Sequence, residues 1–294
     1  MIDLLTLLLN LAITVFAASS MLSIGFGYSV REIVEPFSDT VGVITAVIAN
    51  FVAVPLLAFG ILWLIPLDQP MAIGLIVCAT AAGAPMLIKL TQLAKENVAF
   101  AAAMLLLLLL VTMVYMPIVV PLIGEAAAVS PISIALPLIV TLLIPLIVAF
   151  LVKAVTPDWA AWLLPYTSKL TNIAMAVMLV LTVVLNLDAV IAVFGQGAIL
   201  AAMLLVVGAF IIGYLLGTID QSEKLVLGFA TANRNFAAAT VVATQSFSDP
   251  AVLVMTVVIS TLAMVLLIPA ATAIGRLKAD EGDGTTREET QKIG

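Results

Sequence analysis

Long apolar blocks, separated by short polar breaks, set the pattern of this chain. Nine can be drawn, at about 2–26, 40–64, 71–93, 98–123, 132–153, 160–187, 196–218, 225–247 and 251–274. Each is near the roughly 20 residues that carry a helix across a bilayer's hydrocarbon core. The pattern predicts an all-α membrane protein with nine transmembrane helices. Residues 1–274 form one transmembrane domain, and the charged, Gly/Thr-rich end "GRLKADEGDGTTREETQKIG" (275–294) is expected to be a cytoplasmic flexible tail.

Composition agrees with that pattern. Of the 294 residues, 64% are hydrophobic and only 10% are charged, and the mean hydropathy is +1.30; no soluble core needs so much apolar surface. The start "MIDLLTLLLNLAITVFAASS" leads with Asp3 where a signal peptide carries Lys or Arg, so it is expected to be the first spanning helix. The chain has no histidine, which excludes imidazole ligation and histidine acid–base chemistry. Its one cysteine, Cys78, excludes an intrachain disulfide and reads as a small core residue. No buried carboxylate pair or activated nucleophile can be assembled, and an enzyme is not expected. No nucleic-acid partner is indicated either.

Charge sets the expected orientation. With the C-terminus in the cytoplasm, Arg31, Lys95, Lys153, Lys224, Arg276, Lys278, Arg287 and Lys292 fall on the inner side, and Lys169 lies toward the inner half of the sixth span. The outer loops then hold Asp3, Asp68, Glu125, Asp188 and Asp249 and no basic residue. Nine spans with the N-terminus outside satisfy the positive-inside rule, in a bacterial or archaeal plasma membrane.

Two of the eleven basic residues are left unplaced by this assignment: Lys89 and Arg234. Arg234 is ten residues past Lys224, roughly 15 Å along a helix and about half the hydrocarbon thickness. Asn233 and Asn235 flank it, and three such side chains in succession cannot share one helix face. A helix unwound near Thr231–Phe236 accounts for them, with protein or water around the freed backbone; the alternative is an arginine satisfied by loop carbonyls at shallower depth. The third span carries Gly83, Ala84 and Pro85 in its middle, where proline breaks or kinks a helix. Lys89, Thr91 and Gln92 follow. Lys89 is six residues from Lys95, roughly 9 Å, so snorkelling to the interface is its alternative reading. A broken helix in each half of a chain marks a midplane binding site in transporters. The third span runs inward and the eighth outward, as two inverted repeats at about 2–123 and 132–274 require.

Four segments then carry a resemblance. "SSMLSIGFG", "ANFVAVPLLAF", "TQLAKENVA" (Thr91–Ala99) and "ATANRNFAAA" (Ala230–Ala239) occur in that order. They resemble the conserved segments of the bile acid:sodium symporter family, over nearly all of residues 2–274. The resemblance implies two inverted repeats forming a core and a panel domain, with two broken helices crossing at mid-membrane. By span order the panel is helices 1, 5 and 6 and the core helices 2, 3, 4, 7, 8 and 9. It also implies transport of organic anions such as bile acids, steroid sulfates, pantothenate or short keto acids, coupled to sodium.

At the sodium positions the chain departs from that family. The family's Ser-Asn pair falls on Leu87 and Ile88, with Lys89 next. Its sodium-binding glutamate falls on Ala230 and its glutamine on Arg234, whereas Asn235 matches the family's asparagine and Asn50 matches a glutamine of the second helix. The carboxylate that would favour a cation is missing, and two fixed cations lie beside the vacated positions. They can face half-helix carbonyl ends, acting as a built-in replacement for sodium, or meet an anionic substrate, to which arginine offers a bidentate fork. Both predict weak or no sodium dependence. The expected function is secondary active transport of a small organic anion by alternating access. Arg234 is the anion or surrogate group, Asn233 and Asn235 hold the unwound backbone, Lys89 is Arg234's partner, and Asn50, Thr91 and Gln92 supply polar lining. No cofactor is expected and a sodium site is doubtful. A conventional sodium:organic anion symporter and a non-transporting membrane sensor or partner subunit are the alternatives. Substrate, direction, coupling ion and oligomeric state stay open.

Overall fold

The computed structural model describes residues 2–29, 40–122, 130–185, 191, 193, 197–217 and 220–293, of which 2, 3 and 279–293 as backbone only. Arg31, Glu125 and Asp188 of the charge pattern lie outside these. Among the described residues there is no strand, and seven helices are long and apolar enough to cross a membrane. They are Leu4–Gly27, Thr40–Leu64, Val98–Leu122, Pro131–Val155, Pro157–Leu185, Ala198–Leu216 and Pro250–Lys278. Seven of the nine apolar blocks thus appear as single long helices. The other two, 71–93 and 225–247, are each divided into a pair of shorter helices.

In chain order the helices are α1 (Ile2–Gly27), α2 (Thr40–Ile48), α3 (Val54–Leu64), α4 (Gln69–Thr80), α5 (Met86–Leu93), α6 (Val98–Val119) and α7 (Pro131–Leu138). They continue as α8 (Ile144–Val155), α9 (Pro157–Leu185), α10 (Ala198–Leu216), α11 (Gln221–Ala232), α12 (Phe236–Ser246) and α13 (Pro250–Ile293). α2 runs into α3, and α7 into α8, through single π-helical turns at Ala49–Ala53 and Ile139–Leu143. Each π turn is followed by a proline at the second position of the next helix, Pro55 or Pro145. Proline has no N–H for the carbonyl four residues earlier, so the backbone there shifts to another pattern.

α1 lies against α8 and α9, while α4, α5, α6, α10, α11, α12 and α13 pack among themselves; α7 packs on α6 and α12, and so joins the two sets, as α1 does through α12. Gly25 lets α1 approach α8 closely, since a Cβ there would press on Ala149; small residues at a helix contact are a usual means of association in bilayers. α12 is buried along Phe236–Ala243 and touches α1, where the Phe16 and Phe236 rings are 5.7 Å apart. The long apolar side chains left exposed, such as Leu7, Leu56, Val114, Leu151 and Val180, point outward as lipid-facing surface.

At the C-terminal end the backbone of α13 continues as a helix to Ile293. The helix is carried past the apolar block by contacts of its own. Gly275 lies so close to the Leu93 carbonyl that a Cβ would overlap it, and Lys278 Nζ pairs with Glu96 Oε1 at 2.6 Å.

Candidate functional site

Both interrupted helices break where the chain chemistry cannot continue them. α4 ends at Thr80, and Gly83 follows at φ +79°, with the Leu109 backbone where a Cβ would stand; glycine alone takes that position without strain. Pro85 then caps α5. α11 ends at Ala232, and Asn233 and Asn235 are extended on either side of Arg234. Asn235 Oδ1 accepts from Ala238 N and so caps α12. The second break therefore begins at Asn233. Thr231, expected to mark it, is still helical: its hydroxyl donates to Leu227 O, one turn back.

The two breaks meet. Asn235 N donates to Ala81 O at 2.8 Å, the carbonyl that Pro85 leaves without its usual helical donor. Thr112 of α6 serves the same loop twice, accepting from Ala82 N at 2.9 Å and donating to Ala82 O at 3.0 Å.

Arg234 is 4% exposed and lies between these ends. Its Nε donates to Cys78 O at 3.1 Å, and its two terminal nitrogens donate to Ala79 O at 2.6 Å, Thr231 O at 3.0 Å, Asn50 Oδ1 at 2.7 Å and Asn50 O at 3.4 Å. A guanidinium has five N–H donors, and five bonds are made. Three acceptors are carbonyls in the last turns of α4 and α11, where a helix carries its partial negative charge. The fourth carbonyl belongs to the π turn of α2–α3, which loosens the helical bonding of Asn50 and Phe51. Phe51 O accepts from Tyr115 Oη at 2.6 Å instead. Among the described residues the guanidinium has no carboxylate partner.

Asn50 is fully buried and fully used. Its Nδ2 donates to Ala46 O and to Thr231 Oγ1, at 3.0 and 3.2 Å, while Oδ1 takes Arg234. The structure therefore joins Arg234, Asn50, Asn235 and Thr231 in one polar centre. Asn233 and Asn235 are buried beside it, and the Nδ2 of each has no hydrogen-bond acceptor among the described residues. Thr91 is buried and turned onto its own helix, donating to Leu87 O. Lys89 and Gln92 are exposed on α5, and Lys89 makes no hydrogen bond or ion pair among the described residues. It takes no part in the arrangement around Arg234.

Thr112 and Tyr115 were not legible as site residues. Each is a single polar group in an apolar block, and the only signal, a lone hydroxyl after "LLLLLLV", does not say that a broken backbone lies opposite.

An all-helical membrane protein with a buried cation between two helix breaks is the class that fold and site define. The chain belongs to the sodium bile acid symporter family, whose model matches residues 14–193. It is also similar to a curated relative named "Uncharacterized sodium-dependent transporter YocS" from Bacillus subtilis (strain 168), with 30% identity over 142 residues. That match covers 48% of this chain and spans 44% of the relative's length, less than half. Arg234 and the second break lie beyond the residues matched by the family model.

Proposed function

We propose that this chain is a secondary transporter of a small organic anion in which Arg234 replaces a bound sodium ion. The observation that carries the reading is the guanidinium's coordination: one fixed positive charge held by five oxygens, three of them at the ends of the interrupted helices. A sodium ion placed there would need such oxygens, and Arg234 already takes them. Ala230 and Leu87, at positions where the resemblance implies ion ligands, are buried and apolar, and Ile88 is apolar too. Transport in this reading needs little or no sodium.

Counting each interrupted pair as one crossing brings the spans to nine, with the N-terminus outside and the C-terminus cytoplasmic. Spans 1, 5 and 6 form a panel, a reading supported by the packing of α1 on α8 and α9, with α7, the first half of span 5, reaching across to α6 and α12. The remaining spans form a core that moves against it in alternating access, and the two halves are inverted repeats. The unpaired Nδ2 groups of Asn233 and Asn235 support contact with an anion's oxygens beside the crossing.

The name of the Bacillus relative, a sodium-dependent transporter, favours a second reading, a conventional sodium symporter. In it, Asn, Thr and backbone carbonyls coordinate the ion. Uptake of labelled small carboxylates and sulfonates into proteoliposomes, with and without an inward sodium gradient, separates the two. Equal rates are expected. Uptake that collapses without sodium overturns the surrogate reading and leaves the symporter.

A further inference from the structure

α9 and α13 belong to different sets of packed helices: α9 lies on α1, and α13 on α4, α5, α10 and α12. Between them is a cavity of about 240 Å3, bordered by Thr182 and Val183 of α9, Ile199 of α10 and residues 254–262 of α13. The α13 wall is Val254, Val257, Val258, Thr261 and Leu262. These positions are i, i+3, i+4, i+7 and i+8, one continuous face of the helix. The wall is therefore long and narrow, running roughly 12 Å along the helix axis.

The lining is aliphatic apart from Thr182 and Thr261, and no charged residue borders the cavity among the described residues. Water needs two to four polar partners to settle in such a space, whereas an apolar cavity of roughly 150 Å3 stays dry and takes benzene or xenon. This one is larger. Its deep wall and its rim differ in exposure. Val254 and Val257 are buried, whereas Val183 is 39% exposed and Thr261 is exposed as well. Beyond the rim lie Val184 on α9 and Val265 on α13, 52% and 61% exposed. In a spanning protein such aliphatic surface meets hydrocarbon, so the rim is continuous with the lipid-facing side of both helices.

We propose that this cavity is a lipid site, which takes one acyl chain of a bilayer phospholipid laid along α13 against α9. The chemistry favours a phospholipid over a free fatty acid. With no charged residue at the cavity to hold a carboxylate, the polar head of the occupant has to stay at the membrane interface, and only the chain enters. A chain in this place supplies the dispersion contacts that side chains of α9 and α13 do not make with each other. It fills the seam without interlocking the two helices, so they can shift past one another. That consequence for movement rests on the transport reading. The lipid site does not.

The test uses the full chain in phosphatidylcholine liposomes that carry a small share of phosphatidylcholine with a photoactivatable diazirine midway along one acyl chain. Labelled residues are read by peptide mass spectrometry. Val177 and Val184, exposed on α9, report chains that merely coat the surface, and Val254 and Val257, being buried, report a chain inside. Label is expected at both pairs. Val258→Phe on the α13 wall, and separately Val183→Phe on the rim, add bulk to the cavity. Each should lower the label at Val254 and Val257 about three- to tenfold and leave that at Val177 unchanged. Val183 is already part-exposed, so the second variant does not depend on repacking the interior. Label confined to exposed residues in the natural chain overturns the proposal without any variant. So does label at Val254 and Val257 that neither phenylalanine reduces, or that a diazirine fatty acid gives and the phospholipid does not. Lipid contact is read here, not flux, so failure to find uptake of any anion would count against the transport reading alone.

Discussion

Arg234 binds Asn50 twice, through the side-chain oxygen at 2.7 Å and the backbone carbonyl at 3.4 Å. The two residues are 184 positions apart. This pairing ties the break between α11 and α12 to the π turn between α2 and α3. The same guanidinium reaches the end of α4, so one side chain joins three irregular backbone segments.

Arg234→Gln should therefore destabilise the protein by about 3 kcal/mol or more, since removing a buried charged donor strands the acceptors arranged around it. Arg234→Lys should rescue little, because an ammonium has three donors and no planar fork. Thermal unfolding of the purified protein in detergent measures both. Melting temperatures equal to that of the natural chain would show that the centre contributes nothing.

Installing the side chains that the resemblance implies at Ala230 and Arg234 should create an ion response. Ala230→Glu combined with Arg234→Gln is expected to melt higher in sodium chloride than in potassium chloride, by mass action on a sodium-binding folded state. The natural chain should melt alike in both salts. A sodium-dependent shift in the natural chain would contradict the surrogate role.

Thr112→Val removes both bonds to Ala82 while keeping the side chain's shape. The loss should be about 1–3 kcal/mol, because the Ala82 N–H and carbonyl are buried and left unpaired. Thr112→Ser should recover most of it. Hydrogen exchange at the Ala82 amide reads the effect locally, and unchanged protection there would count against the bond.

Gly83→Ala tests the first break. Its Cβ would overlap the Leu109 backbone at a positive φ, so destabilisation of about 2 kcal/mol or more is expected. A melting temperature unchanged from the natural chain would mean that α4 and α6 are free to separate there.

At the far end of α13, Lys278→Ala should be worse than the double change Lys278→Ala with Glu96→Gln. The Glu96 side chain is 1% exposed and that of Lys278 38%, so removing the lysine alone leaves a buried carboxylate uncompensated. The gap between single and double variants should be about 1–3 kcal/mol, lying between exposed and buried pairs. Equal melting temperatures would indicate a pair open to water.

What the chain determined by itself is what depends on local composition. Apolar length marked the helices, because a bilayer leaves backbone groups no partner outside the helix. Gly83, Pro85 and the run Asn233–Arg234–Asn235 marked the two breaks, because each defeats helical bonding or facing within a few residues. The motif order pointed to the family that the match over residues 14–193 shows. Folding decided which groups answer one another. Lys89 and Arg234 looked alike as buried cations, yet one is exposed on α5 and the other is saturated by five oxygens. Those oxygens are mostly backbone carbonyls, which every residue carries, and Thr112 and Tyr115 are single hydroxyls in apolar blocks. A carbonyl becomes a ligand only when its own helix ends or bulges and a distant donor is brought to it, and that is a property of the packed helices.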